Sequence, residues 1–137
     1  MPLPLAIAMT GMIQDGVWDA FPKLRVGFME GGTGWIPMII DRLKREHEYG
    51  ELRCQRPVLD YFTSGNFYVG CEGNETALSY VVNLIGPQPC MFASDFPHEI
   101  PMDEARHEIN EIEERQDISD EHKKLILGEN AKRFYKI

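Results

Sequence analysis

Cysteine is scarce in this 137-residue chain, and basic side chains are outnumbered by acidic ones. The three cysteines, Cys54, Cys71 and Cys90, are widely spaced and match neither a zinc-binding pattern nor a disulfide framework. We therefore expect buried free thiols and a reducing, cytoplasmic setting. With 14 basic against 22 acidic residues, the formal net charge is -8, which argues against nonspecific binding to nucleic acid or to an anionic membrane.

Long hydrophobic runs are also missing from the sequence. No apolar stretch has the length of a membrane span. The apolar beginning at residues 1–9 has no basic residue ahead of it, so it is a poor match to a signal peptide. Hydrophobic residues make up 43% of the chain, which suits one domain with a moderate core.

Apolar periodicity predicts alternating helices and strands. Helical spacing occurs at 4–14, 35–48, 57–62, 75–84, 101–115, from 119 onward until Gly128 interrupts it, and at 130–135. Strand-like runs lie between the helices at 24–29, 67–71 and 90–95. Asn74 or Thr76 suits the N-cap of the helix at 75–84, and Ser119 suits that of the helix that follows it. Such alternation is typical of an α/β protein with a parallel sheet.

Each predicted strand ends in an acidic residue or a glycine. Glu30 follows the first strand, Glu72 the second and Asp95 the third. In parallel α/β proteins, active sites form at the carboxyl ends of the strands, so we expect the three acids to share one site. Three glycines within residues 31–34 allow the chain to turn sharply after Glu30 and to approach another group closely.

The segment CMFASDFPH at 90–98 carries the clearest chemical signal. Its apolar start is typical of a buried strand, and Pro97 predicts that the strand ends near Asp95. The pattern therefore puts a carboxylate at the strand end, with the imidazole of His98 three residues further on. A plainer alternative stays open, in which Asp95 caps the next segment and His98 is a surface loop residue.

Three motifs, in this order, resemble the amidohydrolase-related metal-dependent hydrolases, a group that includes the aminocarboxymuconate-semialdehyde decarboxylase-like enzymes. The motifs are FPKLRVGFMEGGTGWIP at 21–37 followed by DRL at 41–43, ASDFPH at 93–98, and ILGENAKRFY at 126–135. The resemblance covers nearly the whole chain. It implies a (β/α)8 TIM barrel whose sixth to eighth strands are the three visible ones, so that residues 1–137 are the carboxy-terminal part of a single barrel domain.

The resemblance also implies a divalent metal, with zinc as the expected ion. Asp95 matches the family's eighth-strand metal ligand, which also handles a proton of the metal-bound water, so we predict it as metal ligand and catalytic residue. Glu30 stands at or near the place of a catalytic histidine of many decarboxylating members. It is predicted as catalytic, with support of a metal ligand or a helix N-terminal role as alternatives. His98, Trp35 and Phe96 are predicted to contact substrate.

The family's first-strand His-x-His motif and fifth-strand histidine lie upstream of this sequence. We therefore interpret the chain as part of a longer metal-dependent hydrolase or decarboxylase that acts on a small carboxylated or amide/ester substrate. The alternative is a noncatalytic half-barrel that serves as an assembly module. The expected partners are a small-molecule substrate and either further copies of the chain or a complementing amino-terminal half, with no nucleic acid and no membrane.

Overall fold

A three-stranded parallel sheet organises the computed structural model, which describes residues 2–98 and 100–137. The strands are β1 (Val26–Phe28), β2 (Phe67–Cys71) and β3 (Cys90–Phe92), and β2 lies between the other two. Because both strand pairs are parallel, the carboxyl ends of all three meet at one edge of the sheet.

Helices alternate with the strands, as the periodicity predicts. They are α1 (Leu3–Gln14), α2 (Val17–Ala20), α3 (Ile36–Glu48), α4 (Val58–Thr63), α5 (Leu78–Ile85), α6 (Ala105–Glu113), α7 (Asp120–Lys124) and α8 (Asn130–Tyr135), with a π-helical turn at Leu125–Glu129 between the last two. The π-helical turn packs against β3. No described helix is long and apolar enough to cross a membrane.

Different helices pack against the two faces of the sheet. Phe67 and Val69 of β2 point into the main core, together with buried side chains of α1, α3, α4 and α5. Tyr68 points to the opposite face, where its ring meets that of Phe134 with centroids 5.0 Å apart. Asn130 fixes α8 nearby, because its Nδ2 donates 2.8 Å hydrogen bonds to the carbonyls of Pro87 and Cys90.

The three cysteines are buried free thiols, as predicted. Burial raises the pKa of the Cys90 thiol to about 12 and that of Cys71 well above its ordinary value. Burial also raises the pKa of Cys54, with the nearby carboxylate of Asp19 adding to the effect. All three side chains therefore stay protonated at neutral pH.

Two of the predicted helix starts are wrong. Neither Asn74 nor Thr76 caps α5, which begins at Leu78 without a side-chain cap, because the preceding turn is held by other hydrogen bonds. The helix predicted from 101 begins only at Ala105, after turns that follow Pro101. The Ser119 cap is confirmed, since its Oγ accepts the N–H of His122 at 3.3 Å.

Three further boundaries differ from the predictions. The short helix α2 lies where the apolar spacing predicts no helix, because Gly16 has a φ of 67° and the buried Trp18 bonds the Leu24 carbonyl through its indole N–H at 3.0 Å. Gly128 does not interrupt the last helix, whose backbone widens into the π-helical turn. Strand β3 ends at Phe92 rather than near Asp95, and the N–H of Ala93 makes a last bond to the sheet at 3.0 Å.

Candidate active site

A cavity of about 400 Å³ opens at the carboxyl ends of the strands. The loops that follow all three strands contribute to its wall. The described lining residues are Pro2, Glu30, Gly31, Gly32, Gly70, Cys71, Glu72, Ala93, Asp95 and His98. The three acids that follow the strands thus line one cavity, while the roles that we assigned to Glu30 and Asp95 stay predictions.

Glu30 and Asp95 both adopt a left-handed backbone conformation. Their φ angles are 60° and 58°, in a region that residues with a β-carbon rarely occupy. This conformation costs about 1–2 kcal/mol relative to the right-handed one, and glycine would avoid the cost. Strained residues of this kind cluster at functional sites, where the surrounding structure holds them in place.

Asp95 and His98 contact each other at the mouth of the cavity. Oδ2 of Asp95 lies 3.3 Å from Nδ1 of His98, and the His98 N–H donates to the Asp95 carbonyl at 2.8 Å. The Asp95 side chain is 25% exposed and the imidazole 80%. The carboxylate is therefore accessible to a small ligand, and the imidazole reaches it from the solvent side.

Trp35 and Phe96 do not belong to the described lining of the cavity. Trp35 is buried, with its ring centroid 6.1 Å from that of Phe28, and its indole N–H donates to the Gly32 carbonyl at 2.8 Å. Trp35 therefore supports the glycine-rich loop from the core. Phe96 is 42% exposed, and its N–H bonds the Ser94 hydroxyl at 3.3 Å. Their contact with substrate stays a prediction.

Glu75 is the residue of the site that the sequence patterns did not reveal. Its Oε2 accepts the N–H of Thr33 at 2.7 Å and the Thr33 hydroxyl at 2.6 Å. Its Oε1 accepts the N–H of Glu72 at 2.8 Å. One carboxylate thus joins the loop after β1 to the loop after β2. Because Glu75 and Thr33 lie 42 residues apart, no local pattern signals the contact.

Arg115 also holds the loop after β2, through the backbone carbonyls of that loop. Its Nη1 donates to the carbonyls of Gly73 at 2.6 Å and Glu75 at 2.8 Å. Its Nε and Nη2 bind the carboxylate of Asp117 at 2.9 and 2.7 Å, and these hydrogen bonds lower the pKa of Asp117 to about 2. A β-carbon at Gly73 would lie 2.9 Å from the backbone of Glu111, so glycine lets α6 approach closely.

A metal centre is not complete within the described part of the chain. No group of three or more His, Cys, Asp or Glu side chains in 2–98 and 100–137 is arranged to hold a metal ion. Catalytic zinc sites use three protein ligands. Asp95 fits as one such ligand, because its carboxylate is partly exposed and lines the cavity.

A parallel sheet flanked by helices, with acids at its carboxyl edge, is the architecture of enzymes built on α/β barrels. The chain belongs to the amidohydrolase family, whose model matches residues 5–137. It is 31% identical over 137 residues to the 2-amino-3-carboxymuconate-6-semialdehyde decarboxylase of Dictyostelium discoideum, a match that covers 98% of this chain and 37% of that protein.

Solved structures with the same fold include two decarboxylases. The 5-carboxyvanillate decarboxylase of Sphingomonas paucimobilis is 28% identical, with a TM-score of 0.76 over 94% of this chain and 38% of that one. The dihydroxybenzoic acid decarboxylase of Polaromonas sp. JS666, with bound manganese and the inhibitor 2-nitroresorcinol, is 25% identical, with a TM-score of 0.76 over 96% and 39%. The likeness confirms the predicted partial (β/α)8 barrel. The chain spans 37% to 39% of the length of these three relatives.

Proposed function

We propose that this chain is the carboxy-terminal part of a metal-dependent decarboxylase that acts on a small carboxylated compound. The observation that carries the proposal is the pair of strained acids, Glu30 and Asp95, on one cavity at the carboxyl edge of the sheet. The three relatives described above, each a decarboxylase by name, support this reaction over hydrolysis of an amide or ester.

A divalent cation would bind at Asp95. Its carboxylate is an oxygen donor of the kind that manganese and magnesium prefer, and zinc also accepts it. The remaining ligands would come from residues outside this sequence, since the described residues hold no complete set. When bound, the cation would supply Lewis-acid polarisation of a substrate oxygen. Manganese in the Polaromonas relative makes it the first ion to test, ahead of the zinc that we expected.

The residues of this chain would handle the protons of the reaction. Decarboxylation replaces a carbon–carboxylate bond by a carbon–hydrogen bond, so the site needs a proton donor beside the substrate. Glu30 lines the cavity and would hold that proton on its carboxyl group. Asp95 would keep its carboxylate oriented through the contact with His98, whose other ring nitrogen is free to face the substrate.

The open edges of the sheet are an argument that this chain has a partner. β1 and β3 each pair with β2 on one side only within the described residues, so each presents an open edge. Open edges in a parallel sheet are a liability that barrels remove by closure. We propose that strands of an amino-terminal half cover these edges in the complete enzyme, and that this half brings the remaining metal ligands.

The test uses the full-length enzyme with Asp95→Asn, Glu30→Gln and, as control, Asp120→Asn, whose side chain is 98% exposed on α7. We expect CO₂ release from 5-carboxyvanillate or dihydroxybenzoate by the parent enzyme, and a loss of at least a hundredfold in both site variants. The control should keep its activity. A wild-type enzyme that hydrolyses amide or ester substrates without releasing CO₂ would contradict the proposal.

A further inference from the structure

The glycine-rich loop after β1 depends on a single carboxylate from the neighbouring loop. Thr33 is fully buried, and Glu75 accepts both its N–H and its hydroxyl. Burying these two donors without an acceptor would be costly, because the bonds that they lose to water would not be replaced. Glu75 therefore fixes where Thr33 can lie.

The backbone around Gly32 is shaped for this contact. Gly32 has a φ of 60°, and a β-carbon there would lie 3.2 Å from the carboxyl group of Glu75. Only glycine combines that conformation with so close an approach. The backbone of Glu75 is held in turn, since its carbonyl accepts a hydrogen bond from the Arg115 guanidinium. Its carboxylate is also held by the N–H of Glu72.

Glu30 lies three residues before Thr33 in this loop. Its φ of 60° is strained, and strained conformations persist only where their surroundings determine them. On the sheet side, Gly70 supplies part of that constraint, because a β-carbon there would lie 3.3 Å from Cα of Met29. On the other side Gly31 packs closely against Leu5, and Glu75 holds Thr33 through two hydrogen bonds. Only Gly31 and Gly32 separate Glu30 from Thr33, so an anchor at Thr33 also limits where Glu30 can lie.

We propose that Glu75 is a positioning residue, which holds Glu30 at the cavity by fixing Thr33. The contact itself does not depend on the reaction, but the effect on turnover rests on the proposed function. Without the Glu75 carboxylate, residues 30–33 lose their outer anchor, and Glu30 is free to relax towards a negative φ and away from the cavity.

Three variants remove different numbers of the hydrogen bonds that Glu75 accepts. Glu75→Ala removes all three hydrogen bonds, and Thr33→Val removes only the one from the hydroxyl. Glu75→Gln keeps one carbonyl oxygen for Thr33, but its NH₂ group cannot accept the N–H of Glu72. Asp19→Asn is the matched control, since Asp19 also accepts bonds from three residues, Tyr61, Gln55 and Arg56, none of which lines the cavity.

Amide hydrogen exchange, followed by mass spectrometry on the full-length enzyme, is the first measurement. We expect exchange in a peptide covering 29–35 to become at least tenfold faster in Glu75→Ala, and less so in Glu75→Gln and Thr33→Val. Asp19→Asn should accelerate exchange at 53–61 and leave 29–35 unchanged. Should Glu75→Ala fail to fold, the two milder variants decide the result. Unchanged exchange at 29–35 in both of them would overturn the proposal.

Turnover is the second measurement and separates this inference from the proposed function. We expect Glu75→Gln to lower kcat at least tenfold with KM changed less than threefold, because a misplaced proton donor slows the reaction without preventing binding. Faster exchange with unchanged kcat would overturn the catalytic effect of the positioning. A wild-type enzyme without decarboxylase activity would refute the proposed function, while the exchange result would still decide the role of Glu75.

Discussion

At the scale of single residues, the unusual feature of this chain is the backbone conformation of two acids. Glu30 and Asp95 each follow a strand and turn the chain with a positive φ. Glycine would adopt these angles without strain, so the carboxyl side chains are present in spite of the backbone and not because of it. The fold alone would favour glycine at both positions, so we infer that the carboxyl groups are there for the site.

Glu30→Gly tests whether the Glu30 side chain serves the site and not the stability of the fold. Relief of the left-handed strain, less the greater entropy that glycine gives the unfolded chain, should raise the free energy of unfolding by about 0.5–1 kcal/mol. Turnover should fall at least a hundredfold. Chemical denaturation of the full-length enzyme measures the first effect, and Glu30→Gln, which keeps the side-chain size, is the control. A destabilised glycine variant would mean that the fold itself uses the Glu30 side chain.

At the scale of elements, sequence patterns predicted the sheet better than the site. The alternation of helices and strands follows from apolar spacing, since a strand such as Phe67–Cys71 is buried along its whole length. The helix starts at Leu78 and Ala105 were missed, because turns precede both helices and no side-chain cap marks where either one begins. Local patterns singled out Glu30 and Asp95 through their places after strands, and both line the cavity. They could not give Glu75, whose partner is distant in sequence.

The segment after α6 gives a prediction on pH. Hydrogen bonds from Arg115 lower the pKa of Asp117 from 3.8 to about 2 in the folded chain. A lowered folded pKa stabilises the protein fully above the unfolded value of 3.8, and this contribution is lost as the pH falls towards 2. Asp117→Asn should therefore lower Tm at pH 7, with a difference from wild type that shrinks between pH 4 and pH 2. A difference that stays constant down to pH 2 would contradict the role of the Asp117 charge.

At the scale of the whole molecule, the described residues form a core and a cavity but not a closed sheet. Helices cover both faces of the three strands, with α8 on the face opposite the main core, while the described residues leave both sheet edges open. The site has the same character, since Asp95 is proposed as one metal ligand and no group of three or more such side chains is found among the described residues. The amino-terminal half that we propose as partner would explain both features, because it would supply the missing strands and the missing metal ligands.

Reconstitution tests this explanation. We expect the 137-residue chain alone to associate with itself in gel filtration, and to form a one-to-one complex when expressed with an amino-terminal half of a close relative. Closure of the barrel buries both edges, so Tm should rise by several degrees in the complex. A stable monomer that is unaffected by the amino-terminal half would count against a shared barrel.

The central claim is that Asp95 binds a catalytic cation with ligands from outside this sequence, and anomalous diffraction from manganese-soaked crystals of the full-length enzyme tests it most directly. The account predicts one anomalous peak within direct coordination distance of an Oδ atom of Asp95, in the cavity that Glu30 lines. A peak elsewhere, with the Asp95 side chain turned away from the cavity, would contradict it.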